Sequence, residues 1–170
     1  MTDGELDELL RDCPTLYHMA MAGSWPSIRR HGLLSTSALL NLYGIDGDRR
    51  HALEAQRRPE SVALAGKGLE GAVIRDQKPM DDAGLSPGDW YRVLNGRVFF
   101  WLTPARLMRL MEAKPYRGLT HDVLEIDAAS LVAAYRAEIT LSPINSGATK
   151  PFPAPRGPGT FSSIDAYPYA

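Results

Sequence analysis

Cysteine is nearly missing from this chain: Cys13 stands alone among 170 residues. A single thiol cannot close an intramolecular disulfide, which excludes a secreted domain built on disulfides, and it excludes a cysteine-based zinc site as well. Long hydrophobic runs are missing too, and none approaches the ~18 residues that a membrane span needs. The stretch from Met1 to Asp12 is acidic and lacks the basic start and apolar core of a signal peptide. The expectation is a cytoplasmic protein without a membrane partner. Charge of one sign is also lacking. The net charge is -1, so no global field draws the chain to nucleic acid or to anionic lipid. Lysine is scarce, with only Lys67, Lys78, Lys114 and Lys150 beside fifteen arginines. That bias suits anion recognition and follows equally well from genome composition.

Several catalytic signatures are absent. Gly66-Lys67-Gly68 has neither the spacing nor the Ser/Thr of a P-loop, and there is no dinucleotide fingerprint. The four histidines form no HExxH-type pair, so no metal is expected. Ser24, Ser27 and Ser35 lack the context of a nucleophile elbow. No internal repeat is present.

What is present is enough apolar character, 44%, for a core, and too little charge, 23%, for a disordered chain. The length fits a single domain over 1–170. The pattern predicts a short helix from Asp3 to Arg11 ended by Pro14, then a strand over Leu16 to Met19. A second helix is capped by Ser24, turns Trp25 and Ile28 inward and stops before Gly32. A third, capped by Ser35 or Thr36, carries Leu39, Leu40, Leu42 and Tyr43 and stops at Gly44. The polar stretch Asp46 to Arg58 reads as helical, with Arg49, Arg50, Arg57 and Arg58 exposed. Ser61 to Ala65 and Ala72 to Arg75 read as strands.

Ser86-Pro87-Gly88-Asp89 opens a helix that runs to Asn95 and stops at Gly96. Val98 to Leu102 is continuously apolar and aromatic, which predicts a strand buried on both faces. Thr103-Pro104 starts a helix through Ala113, with Thr103 as its cap. Val123 to Ile126 is a strand, Asp127 caps a helix to Tyr135, and Ile139 to Leu141 is the last strand. From Pro143 to Ala170 the chain is rich in Pro and Gly. Phe152, Phe161, Ile164, Tyr167 and Tyr169 should anchor this tail along the surface. Short strands mixed with helices, without βαβ alternation, give an α+β class: a compact mixed sheet with peripheral helices.

Few residues stand out chemically. His18, beside Tyr17 on a strand, is either a polar group at a ligand pocket or a buried imidazole bonded to backbone. Arg75 at a strand end can grip a phosphate or pair with Asp76. Glu138 at the start of the last strand can act on a developing cation or a proton, or sit as an ordinary edge charge. Phe99, Phe100 and Trp101 belong to the core unless one offers its face to a planar ligand. Asn145-Ser146-Gly147 is a turn by composition that could also touch a ligand. His31 and His121 are weaker candidates.

Taken together, these pieces resemble a known family. Leu16-Tyr17-His18, followed by a helix ending Ser27-Ile28-Arg29-Arg30-His31-Gly32-Leu33-Leu34, is similar to the opening of the ADP-ribosyltransferase fold. The nearest forms are the DNA-targeting ADP-ribosyltransferase toxins and uncharacterised bacterial domains related to them. In that resemblance Arg75 matches an arginine after the first region. Trp90-Tyr91 through Val98-Phe99-Phe100-Trp101-Leu102-Thr103 matches an aromatic strand, and Ala137-Glu138-Ile139-Thr140-Leu141 matches a late acidic strand. The chain also resembles an uncharacterised bacterial family carrying Ile74-Arg75-Asp76-Gln77, Val98-Phe99-Phe100-Trp101 and Ile144-Asn145-Ser146-Gly147. The tyrosine of the His-Tyr-Glu class has no clear equivalent.

The resemblance implies NAD-dependent ADP-ribosyl transfer to an acceptor of unspecified class: nucleic acid, protein or small molecule. It implies NAD as substrate, no metal, and an antitoxin as partner if the chain is a toxin. His18 would hold a ribose, with Tyr17 beside it. The backbone at Gly32 and Leu33 would meet the nicotinamide amide, and Phe100 or Trp101 would stack on its ring. Arg75 would bind the diphosphate or orient the acceptor, and Glu138 would stabilise the cationic sugar or take the acceptor's proton. If Glu138 faces away, Asn145 and Ser146 would line a pocket that binds a nucleotide without turnover. RNA 2′-phosphotransfer, a further reading, rests only on Arg75 and Arg156. A non-catalytic nucleotide- or partner-binding module of the same fold is the main alternative.

Overall fold

Thr2 starts the first helix with a capping box: its hydroxyl accepts from the Glu5 N–H at 3.3 Å, and the Glu5 carboxylate accepts from the Thr2 N–H at 2.5 Å. The computed structural model describes residues 1–66, 69–74, 86–146 and 157–169. In chain order the elements are α1 (Asp3–Asp12), β1 (Thr15–Met21), α2 (Trp25–His31), α3 (Thr36–Leu42), α4 (Gly47–Glu54), β2 (Val62–Gly66) and β3 (Leu69–Ile74). There follow α5 (Pro87–Asn95), α6 (Pro104–Met111), β4 (His121–Asp127), α7 (Ala128–Tyr135), β5 (Thr140–Leu141) and β6 (Ser162–Ser163), with 3-10 turns at Arg136–Glu138 and Pro158–Thr160. Among the described residues, seven helices and small sheets make the chain a mixed α and β protein. Among the described residues the strands do not join one mixed sheet. They form three two-stranded ladders, β1 with β4, β2 with β3 and β5 with β6.

The chain divides into two compact units: Met1–Ala20, Phe99–Pro143 and Phe161–Ala170 in the first, and Met21–Val98 with Ile144–Thr160 in the second. In the first, α6 buries Leu107 against Met19 of β1 and Tyr116, with Tyr17, Trp101, Leu110 and Met111 packed around them. Asp127 caps α7 by accepting from the Ser130 N–H at 2.7 Å. The tail joins this unit through β6. Thr140 pairs with Ser163 and Leu141 with Ser162, and Ile164 is buried against it at 2% exposure. Arg136 holds Asp165 at 2.8 Å and Asp3 at 3.4 Å.

In the second unit, Leu40, Tyr43, Ile45 and Leu64 form the core, backed by Leu39, Leu42, Leu53 and Val62. The antiparallel hairpin β2–β3 sets Val62 opposite Ile74 and Leu64 opposite Ala72, with a register shift between Leu64 and Gly66. Ser35 caps α3 by accepting from the Ala38 N–H at 3.2 Å. The chain leaves α3 through Gly44 at φ 62°, where Ile45 N–H reaches back to the Leu40 carbonyl at 2.9 Å.

Three sequence expectations fail here. Trp25 is 52% exposed rather than inward. The buried residue of α2 is Ser27, and two residues, at about 100° each, turn Trp25 to the opposite side. Arg58 is not on a solvated face. It is 5% exposed, and its guanidinium donates to the Leu53 carbonyl and, at 3.1 Å, to Asn95 Oδ1. Asn95 in turn donates to the Glu54 carbonyl at 2.8 Å, so this buried cation ties α4 to α5.

The third failure is the segment Val98 to Leu102, which is neither a strand nor fully buried. It makes one bridge, in which Tyr17 and Trp101 exchange N–H···O bonds of 3.0 and 2.8 Å. The Phe99 carbonyl is taken by a side chain instead, as described next.

Candidate functional site

β1 alternates its side chains between two faces. Tyr17 and Met19 turn toward the core of the first unit, where Trp101 also packs. His18 turns the other way and is half-buried. Its Nδ1 lies 2.8 Å from the Phe99 carbonyl. A carbonyl can only accept, so Nδ1 carries a proton. The His18 ring also rests against Phe100, with centroids 5.9 Å apart and planes tilted by 59°. The aromatic segment thus fixes His18 at two points, through the backbone of Phe99 and the ring of Phe100. Phe99 itself packs its ring on Phe161 from the tail, at 6.1 Å.

The other expected residues fall as follows. Glu138, also in the first unit, does not begin a strand. α7 runs straight into the 3-10 turn Arg136–Glu138, with the Ile139 N–H bonded to the Tyr135 and Arg136 carbonyls at 3.2 and 3.4 Å. β5 therefore starts only at Thr140, and Glu138 is exposed. Among the described residues its carboxylate makes no hydrogen bond or ion pair.

Gly32 and Leu33 lie in the second unit. Gly32 ends α2 at φ 86°, its N–H bonded to the Ile28 carbonyl at 2.8 Å. Leu33 is half-buried. Asn145 is exposed and Ser146 buried, also in the second unit. Arg75 lies outside the described residues, as do Gly147 and Arg156.

Of the weaker candidates, His121 and Thr103 have local roles. His121 Nε2 is 3.3 Å from the Tyr116 carbonyl, and its ring meets the Tyr116 ring edge-on at 6.2 Å. Thr103 is a helix cap, accepting from the Arg106 N–H at 3.3 Å. Burial, reinforced by the nearby Asp12 charge and opposed by Arg106, pushes the Cys13 thiol up, away from a reactive thiolate. Among the described residues no group of three or more His, Cys, Asp or Glu side chains could hold a metal ion. No described helix is long and apolar enough to cross a membrane.

Sequence reasoning singled out His18, Phe100 and Trp101 and missed the partner of Phe99. The available signal was Phe161 itself, one of the apolar anchors in a tail rich in Pro and Gly. A family model matches residues 14–170, which takes in β1, the aromatic segment and the tail. The chain belongs to the family described as "Family of unknown function (DUF7002)". No curated protein and no solved structure matches it.

Proposed function

We propose that this DUF7002 protein is an ADP-ribosyltransferase-like domain that binds NAD. The observation that carries this reading is the His18 arrangement: a strand-borne imidazole, oriented by the Phe99 carbonyl at 2.8 Å and backed by the Phe100 ring. In the sequence it precedes a short helix that ends on Gly32 at φ 86°. Held through Nδ1 and by the Phe100 ring, the imidazole is a fixed polar group suited to orienting a ribose. Phe100, which lies on the His18 side of the segment, is better placed for a planar ring than Trp101, which packs into the core. A fixed imidazole costs little ordering entropy when a ligand arrives.

NAD would supply the transferable ADP-ribose and the nicotinamide leaving group. This chain's residues would orient the sugar and stabilise the charge that develops on it. In the reading with turnover, Glu138 serves the second task. A second reading, a nucleotide-binding module without turnover, is favoured by the place of Glu138 on an exposed 3-10 turn ahead of β5.

One experiment separates them. Titrate NAD into pure protein by calorimetry, then measure nicotinamide release with candidate nucleic-acid and protein acceptors. The expected result is binding that His18→Ala weakens at least tenfold. Release that falls at least a hundredfold in Glu138→Gln establishes turnover, and binding without release establishes the module. No NAD binding by the wild-type chain rejects the proposal.

A further inference from the structure

We propose that the C-terminal strap from Phe161 to Tyr169 is a positioning element for His18, with Phe161 acting through Phe99. The contacts form a continuous chain within the first unit. The Phe161 ring packs on the Phe99 ring at 6.1 Å and 49°. The Phe99 carbonyl holds the His18 Nδ1 proton at 2.8 Å. Phe99 is not secured by a regular strand: among the described residues the segment around it makes a single bridge, at Trp101. Its backbone direction therefore depends on where its side chain is held.

The strap is fastened directly beside Phe161. Ser162 and Ser163 pair with Leu141 and Thr140. The Ile164 N–H bonds the Ile139 carbonyl at 3.0 Å, and its side chain is buried. Asp165 is held by Arg136 at 2.8 Å. Four consecutive residues are thus tied to β5 and the turn before it, so Phe161 is a fixed wall rather than a mobile ring. A Pro- and Gly-rich tail would otherwise gain entropy by staying free. The strap thereby aims an imidazole from outside the strand that carries it.

The consequence for NAD rests on the reading above; the consequence for His18 does not. Two measurements keep them apart. The first is the imidazole nitrogen spectrum of His18, assigned by its loss in His18→Gln and recorded at about pH 8, where ordinary imidazoles are neutral. In the wild-type chain it should report a single tautomer protonated at Nδ1. In Phe161→Ala the two nitrogens should move toward averaged shifts, and Phe161→Leu, which keeps apolar bulk, should recover most of the difference. Should the alanine variant not fold, Asp165→Ala loosens the same strap at its exposed anchor and reads the same shift at smaller amplitude.

The second measurement is NAD affinity, expected to fall about three- to tenfold in Phe161→Ala, the size of one aromatic pair. By linkage, saturating NAD should slow hydrogen exchange of residues 161–169 by a similar factor. An unchanged His18 spectrum in a folded Phe161→Ala or Asp165→Ala chain overturns the strap's role. Absence of NAD binding by the wild-type chain overturns the ligand instead, and the imidazole spectrum still decides the strap.

Discussion

Asn95→Ala is the most informative perturbation of the second unit. Asn95 is 3% exposed. Its side chain accepts from the Arg58 guanidinium at 3.1 Å and donates to the Glu54 carbonyl at 2.8 Å. Truncation severs both bonds in a site with little access for replacement water. A buried hydrogen bond to a charged group is worth about 1.5–3 kcal/mol, and a stranded carbonyl costs about 1–3 kcal/mol. Partial relaxation brings the expected loss to about 3 kcal/mol, or a fall in Tm of about 6–12 °C for a chain of this size.

Arg58→Met tests the cause. With the cation gone, Asn95 has no charge to satisfy, and the penalty of an under-bonded buried guanidinium disappears. The double variant should therefore lose at least about 1 kcal/mol less than the sum of the single losses. Urea unfolding followed by helical circular dichroism gives all four stabilities, provided the slopes match. A loss below about 1 kcal/mol in Asn95→Ala, or strict additivity in the cycle, refutes the idea that this pair clamps α4 to α5.

Further outcomes follow from the same structure. Glu54 is held below the ordinary carboxyl value of 4.5, first by its hydrogen bond from Arg50 and also by Ser37. Its folded form therefore resists protonation. The stability it adds is complete above about pH 4.5 and is lost as pH falls through the lowered folded value, so Glu54→Gln should flatten acid unfolding there; an unchanged acid limb would count against it. Gly32→Ala should cost about 1–3 kcal/mol, because φ 86° with ψ 170° is glycine territory. Beyond its chain neighbours, no heavy atom of the described residues lies within 4 Å of the added Cβ, so a stability equal to wild type would show that the turn rearranges. Leu40→Ala should cost about 2–5 kcal/mol at a fully buried position. Trp25→Ala should cost under about 0.5 kcal/mol, and the reverse order in thermal melts would contradict the assigned faces of α2 and α3.

Local chemistry made much of the secondary structure legible. Ser35, Ser86, Thr103 and Asp127 were readable as caps, because a short oxygen side chain ahead of an apolar period has one obvious use. Gly32, Gly44 and Gly96 were readable as stops. The site was legible only in part. His18 could be marked as a polar residue on an apolar strand, but its orientation depends on a carbonyl 81 residues away. Glu138 was assigned to the strand because Ile139 to Leu141 is apolar. Whether the preceding helix tightens into a 3-10 turn depends on how the chain is anchored at Arg136 and Asp165.

The sequence by itself determined the α and β mixture, the helix starts and the absence of a cysteine framework, since each follows from neighbours within a few residues. Tertiary structure alone decided that Val98 to Leu102 is not a strand, that Arg58 is buried, that Trp25 is exposed and that the tail reaches Phe99. An apolar run is compatible with a ladder or with a wall of side chains. An arginine is compatible with solvent or with a buried asparagine. The choice depends on which partner the rest of the chain delivers, and no local pattern encodes that.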